Sequence, residues 1–380
     1  MIKSRNIGID ILRGLSILFV ILLHINIHFN LKDTFIKQML HPKVYTVLFW
    51  SGYYGVILFF TLSGYLITTS ILNRWKELSK IELKKFYLFR FARIIPPLAG
   101  LLLILAVLHV EGVSGFVIDQ EKTSLGYAAF AALTFHFNWL EMKVGYLPGN
   151  WDILWTISIE EVFYFIFPVV CLLLKKKWQL IVALAVLLFI APWCRTHLFL
   201  DNELGDRNNF AYMDTIAIGC LTAVIANKCR LSKTVTRVSL ILGWLMILFI
   251  FAFRNITFKH GITGLGLDLT ILSLGVALVI VWMHERHLAG AEKNRVAFRW
   301  IRSMGIYSYE IYLTHMFVVI GAAGLYKYIH PGERYLPLFI GGAIALCYVL
   351  GKVVFTYYSE PLNKRLRNLT VEDNKVQLIR

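Results

Sequence analysis

Apolar runs about twenty residues long recur along the chain, each closed by a short polar and mostly basic stretch. A helix needs roughly 20 residues to cross the hydrocarbon core of a bilayer, and a helix satisfies its own backbone polar groups there. The pattern predicts ten spanning helices, near residues 9–29, 47–71, 88–109, 152–174, 179–193, 211–227, 238–254, 263–283, 304–325 and 336–358. The expected fold is an all-α polytopic membrane protein. The stretch 123–140, "TSLGYAAFAALTFHFNWL", is the ambiguous one. If it crossed, Lys175, Lys176 and Lys177 would land on the outer side, so it is read as re-entrant or interfacial.

Charge sets the orientation. Of the 39 Lys and Arg, 26 fall on the side that holds both termini and 11 on the other. The basic excess assigns the rich side, with both termini, to the cytoplasm. The same distribution removes nucleic acid as the explanation of the +16 net charge, because the bases sit in short loops between spans. Composition agrees, since a soluble chain with 58% hydrophobic residues could not hide that much apolar surface. Five scattered cysteines form no CxxC pair and predict neither a metal site nor a disulfide framework. The first apolar run lacks a small-residue cleavage site and is read as a retained span. One membrane domain over residues 1–367 is expected, followed by a cytoplasmic tail, 368–380, without an appended soluble domain.

Ionisable groups inside these spans carry the chemistry, since each costs several kcal/mol in hydrocarbon. In "IDILRGLSILFVILLH", Arg13 and His24 are close to three whole turns apart, so they share a face about 16 Å apart along the helix. Asp10, one turn before Arg13, is expected to pair with it. Taken alone, Arg13 also reads as a snorkelling side chain and His24 as a packed one. Arg90 and Arg93 in "RFARIIPPL" lie on one face at the cytoplasmic boundary, where two guanidiniums suit a phosphate-rich ligand, although a topology signal looks the same. Pro96 and Pro97 are expected to bend or restart that helix. Glu160 and Glu161 in "WTISIEEVFYFIFP" lie roughly 12 Å from the outer end of their span, a depth comparable with that of His24. At least one of them must be protonated or paired with a cation. His315, near mid-membrane in "SYEIYLTH", is the rival base. Asp214 and Asp268 near outer helix ends read equally as acceptor contacts and as caps.

Six motifs in order resemble the integral-membrane acyltransferase 3 family, which includes bacterial O-acetyltransferases of surface polysaccharides. They are "IDILRG" with its downstream histidine, "ILFFTLSGYLI", "RFARIIPPL", "WTISIEEVFYFIFP", "GIYSYEIYLTH" and "YYSEPLNKRL", and together they run from about residue 7 to 367. Thr156 stands where the family block often has serine, with the hydroxyl retained. The resemblance implies an O-acyltransferase that uses acyl-coenzyme A, with acetyl-CoA as donor and no metal. It implies Arg13 and His24 as catalytic residues, Arg90 and Arg93 as donor binders, and Glu160 as the glutamate of its block, completed by Phe163 and Tyr164. It also implies a bacterial cytoplasmic (inner) membrane location and a glycan acceptor such as lipopolysaccharide or exopolysaccharide.

On that basis the phosphates of coenzyme A are expected at Arg90 and Arg93. The pantetheine arm is expected to rise beside Arg13 and bring the thioester to His24 through a tunnel. His24 then acts as general base, with Glu160 holding its second nitrogen. Tyr164, Trp155, Asp214 and His315 are the candidate acceptor contacts. The outer aromatics Trp139, Tyr146, Trp151 and Trp155 are placed to stack on sugars, a pattern an interfacial belt shares. The competing readings are a small cytoplasmic acceptor, a succinyl donor, or a transporter of glycan or acyl groups. No internal repeat supports the transporter.

Overall fold

The computed structural model describes residues 5–292 and 296–377, with side chains through residue 368. The described residues are helical and contain no strand. The long helices are α1 (Ile7–Phe29), α2 (Gly52–Trp75) and α3 (Leu83–Val110). Two short ones, α4 (Leu125–Leu133) and α5 (Phe137–Val144), precede α6 (Leu154–Leu173) and α7 (Lys177–His197). Then come α8 (Met213–Lys228), α9 (Lys233–Ala252) and α10 (Leu267–Leu288). The short α11 (Arg299–Ile306) leads into α12 (Ser308–Ile329), α13 (Leu336–Val354) and α14 (Glu360–Gln377). Ten helical segments among the described residues are long and apolar enough to cross a membrane. The protein is a multi-pass membrane protein.

The segment 123–140 does not supply an eleventh. Its helices are 9 and 8 residues long, far short of a bilayer at about 1.5 Å per residue. Several boundaries differ by four or five residues from the hydropathy reading, and three of the differences have a visible cause. The second span starts at Gly52 because a separate helix, Pro42–Phe49, ends before it. The ninth starts at Ser308 because the chain breaks at Tyr307 after the amphipathic α11. The last span runs through a π-turn, Phe355–Ser359, into α14, so the expected tail boundary at 368 falls within a helix. Residues 378–380 of that expected tail lie outside the described residues.

Small residues set the closest helix contacts, as lipid-embedded packing requires. A Cβ at Gly64 on α2 would collide with the Ile216 carbonyl of α8, and one at Gly219 on α8 with the Thr61 carbonyl of α2. Gly14 on α1 and Gly305 on α11 meet each other's backbones in the same way. Helix α1 packs between α2, α11 and α12. Helix α3 passes continuously through Pro96 and Pro97. Tyr309 OH donates to the Ile94 carbonyl (3.1 Å) and Tyr358 OH to the Pro96 carbonyl (3.0 Å), so acceptors near the prolines find partners on the neighbouring helical segments.

The outer stretch after α5 descends into the bundle. Asn150 Nδ2 donates to the carbonyl of Leu313, in the second turn of α12, at 2.6 Å, and both groups are buried. Helix α6 therefore starts inside the protein, not at its outer rim, and this changes the depth of everything on it.

Candidate active site

A cavity of about 730 Å³ opens at the end of the bundle that carries the excess Lys and Arg. Its mouth is formed by the start of α1, the end of α2, the start of α3 and α14. Arg74 and Arg367 both lie over the Phe89 ring there, at 4.0 and 5.0 Å. Trp75, at the mouth, donates from Nε1 to Glu82 at 3.1 Å. Hydrogen bonds from Lys85 and Trp75 hold the Glu82 carboxyl below its usual range. The volume suits a drug-sized or cofactor-sized ligand.

Five of the predicted site residues line this one cavity: Arg13, Arg90, Arg93, Glu160 and Tyr164. The two α3 arginines, however, already have counter-ions. Arg90 Nη2 meets Glu161 Oε1 at 2.5 Å and its guanidinium lies 3.7 Å from the centre of the Tyr164 ring. Arg93 reaches both oxygens of fully buried Glu310, at 3.1 and 3.4 Å. Glu161 is thus the cation-paired carboxylate that the adjacent acids required.

The expected Asp10–Arg13 pair does not form. Asp10 Oδ1 takes Arg5 Nε at 2.6 Å, and Arg302 Nε on α11 stands 3.7 Å from Oδ2. The glycine contact between α1 and α11 brings Arg302 close enough to compete. Arg13 is left without a hydrogen bond or ion pair among the described residues, on the cavity wall, with Glu160 and Arg93 in its electrostatic surroundings. An arginine with no fixed counter-ion on the wall of a basic cavity has the chemistry to receive an anionic group.

Glu160 does not hold His24. Its Oε1 accepts from Tyr164 OH at 2.5 Å and from Ser63 Oγ on α2. Because α6 begins inside the bundle, Glu160 faces the arginine-lined cavity and not His24 on α1. Equal distance from helix ends was therefore a false measure of equal depth. Ser63 sits in the "LSGYLI" stretch, and nothing in its spacing marked it as a partner of Glu160.

His24 is held by the rival histidine instead. His24 Nδ1 lies 3.1 Å from His315 Nε2 and 2.9 Å from the Val20 carbonyl, while His315 Nδ1 lies 2.7 Å from the Tyr312 carbonyl. His315 is fully buried with both nitrogens engaged, so it is not placed to touch an acceptor as expected. Neither histidine lines the cavity. Its deep wall includes Tyr312 and Thr156, whose hydroxyls are 2.7 Å apart, and Tyr312 OH also donates to the Ile153 carbonyl at 3.0 Å. The Tyr312 ring centre lies 5.8 Å from that of His315. The open tunnel expected between the arginines and His24 is therefore not found: the cavity stops short of both histidines, and Tyr312 is the lining residue that neighbours His315.

The remaining acceptor candidates are structural. Asp214 is fully buried, bonded to Arg195 (2.7 Å) and accepting from Thr270 Oγ1 (2.5 Å), and it caps no helix. Trp155 is buried against Tyr212 and under the guanidinium of Arg207, 4.9 Å away. Arg207 is bonded to buried Glu141 and, at 3.0 Å, to Asp152, a cluster that ties α5 to the loop before α8. Of the outer aromatics, Trp151 is fully buried on Phe137, whereas Tyr146 is exposed. Among the described residues no group of three or more His, Cys, Asp or Glu is placed to hold a metal ion.

The family model described as an acyltransferase domain matches residues 6–354. The chain belongs to the acyltransferase 3 family. It is 26% identical to the peptidoglycan O-acetyltransferase OatA of Listeria monocytogenes, over 94% of this chain and 56% of that protein. It is 24% identical to the O-acetyltransferase OatA of Staphylococcus aureus, over 60% of this chain and 36% of that one. A putative O-acetyltransferase of S. aureus strain COL is 28% identical over 50% of this chain and 30% of its own length. The chain thus spans little more than half of the first relative and about a third of the others. No solved structure matches it. The matched region contains Arg13, His24, Arg90, Arg93, Glu160 and His315, so all six stand within the family domain.

Proposed function

We propose that this chain is a membrane O-acyltransferase that takes an acyl group, acetyl, from acyl-coenzyme A in the cytoplasmic cavity and passes it to a hydroxyl of a glycan on the far side of a bacterial cytoplasmic membrane. The observation that carries this reading is the Arg13 guanidinium, unpaired among the described residues, inside a deep cavity whose mouth is lined with arginine. Such a cavity suits an elongated anionic donor. The nucleotide phosphates meet the basic mouth and a long thin arm reaches inward, ending at the Thr156–Tyr312 wall, next to His315 and His24. Family membership and the relatives' O-acetyltransferase names support the reaction class, and the peptidoglycan relative supports a glycan acceptor.

In this mechanism Tyr312 swings from Thr156 to admit the thioester. His24 takes the proton of the acceptor hydroxyl as its oxygen attacks the thioester carbonyl. The C–O bond forms, the C–S bond breaks, and the departing thiolate receives that proton, leaving an ester and free coenzyme A. The test is transfer of label from acetyl-coenzyme A by the purified full chain with a glycan acceptor. His24→Ala is expected to abolish transfer with coenzyme A binding intact. Full transfer by that variant removes His24 from the mechanism.

A further inference from the structure

We infer that His315 is a positioning residue that fixes His24 in one tautomer and leaves His24 Nε2 as the basic nitrogen. The inference rests on the acyltransferase reading for its role, but its central claim about protons is independent of turnover. Each imidazole places Nδ1 against a backbone carbonyl of its own helix: Val20 at 2.9 Å for His24, Tyr312 at 2.7 Å for His315. A carbonyl oxygen only accepts, so both Nδ1 atoms must carry hydrogen. His315, neutral with its proton on Nδ1, then has a lone pair on Nε2. That lone pair faces His24 Nδ1 at 3.1 Å and shares its hydrogen.

The alternative, a proton on His315 Nε2, makes His315 a fully buried imidazolium whose hydrogen-bond partners among the described residues are a carbonyl and the other imidazole, with no carboxylate bonded to it. It would also turn the His24 lone pair onto the Val20 carbonyl. Both consequences are costly in a buried site. The neutral pair satisfies every contact and leaves a single open position, Nε2 of half-buried His24. When that nitrogen takes a proton, the imidazolium gains its support from the Val20 carbonyl and the His315 lone pair along the same Nδ1–H. His315 thus serves His24 as an orienting acceptor, a task that hydrolases give to a carboxylate.

The helix contacts explain why the pair holds. Helix α1 is clamped by the glycine contact with α11, which directly precedes α12, so the first and ninth spans are in register. Cys347 Sγ on α13 packs 3.8 Å from the His315 carbonyl and backs that turn of α12.

The experiment uses the full chain in lipid nanodiscs with ¹⁵N-labelled histidine, His24 being assigned by the signals lost in His24→Ala. The wild type is expected to show His24 with a protonated Nδ1 and a bare Nε2. His315→Leu is expected to lower kcat on the order of 100-fold, the scale of general-base catalysis, with coenzyme A affinity unchanged. His315→Gln, whose amide oxygen accepts from the same Nδ1–H, is expected to recover most of that loss. A wild-type His24 protonated on Nε2 overturns the inference whatever the activity. So does full turnover in His315→Leu, or equal loss in the Leu and Gln variants while both still bind coenzyme A. Transfer that survives His24→Ala defeats the acyl-transfer role of His24 instead and leaves the tautomer measurement standing.

Discussion

Asp10 and Arg13 lie one turn apart on the first helix and do not pair, because Arg5 and Arg302 take the carboxylate. The consequence is a division of labour among the arginines of the cavity. Arg90 and Arg93 are neutralised by Glu161 and Glu310, and Arg13 is not. Arg13→Gln is expected to weaken coenzyme A binding by about 1.5–3 kcal/mol, the worth of hydrogen bonds to a charged group. The thermal midpoint should stay the same. Calorimetric titration beside a melting curve in detergent checks both halves, and a large drop in the melting temperature would make Arg13 structural.

Arg93→Gln is expected to behave in the opposite way. It strands Glu310, which is fully buried, and removing one partner of a buried pair costs about 3–5 kcal/mol. Stability should fall first, with donor affinity following only through unfolding. Arg93→Gln combined with Glu310→Gln should recover part of the loss, measured by melting of the single and double variants.

The Thr156–Tyr312 hydrogen bond lies in the wall of the cavity on the side nearest His315. Thr156→Val removes the hydroxyl but keeps the shape. It is expected to let water reach the bound thioester, so that free coenzyme A appears faster in the absence of any acceptor. A thiol assay of acetyl-coenzyme A hydrolysis reads this directly, and hydrolysis no faster than wild type would assign the wall to something other than Tyr312.

Gly64→Ala tests the packing that carries the site. In an ordinary helix interior this change stabilises by about 1 kcal/mol. Here the added methyl meets the Ile216 carbonyl, so the sign is expected to reverse, with a lower melting temperature and separation of α2 from α8. A melting curve equal to wild type would show that the two helices give way easily.

Much of the membrane architecture was legible because hydropathy, loop charge and helix length are local properties. The ten spans and the short, non-crossing helices near 123–140 followed from them. Arg13, Arg90, Arg93, Glu160 and Tyr164 were legible as candidates from residue types and motifs, but that they share one cavity was not. Their pairings were not. Depth counted from helix ends placed Glu160 beside His24, and this failed because the outer loop carries Asn150 down to Leu313 and starts α6 inside the protein. Trp155 and Asp214 looked like acceptor contacts because they sit near outer helix ends. Burial against Arg207 and Arg195 instead gave them structural work.

Hydropathy alone thus set which helices are long and apolar enough to cross a membrane among the described residues and which side chains must sit in an unfavourable medium. Which carboxylate each arginine meets, which ring His24 leans on and where the cavity stops were settled only by packing. The reason is physical: a span is fixed by the solvent around one helix, whereas an ion pair or a shared proton depends on a few tenths of an ångström between helices far apart in the chain. Glycine contacts such as Gly14 with Gly305 set those distances.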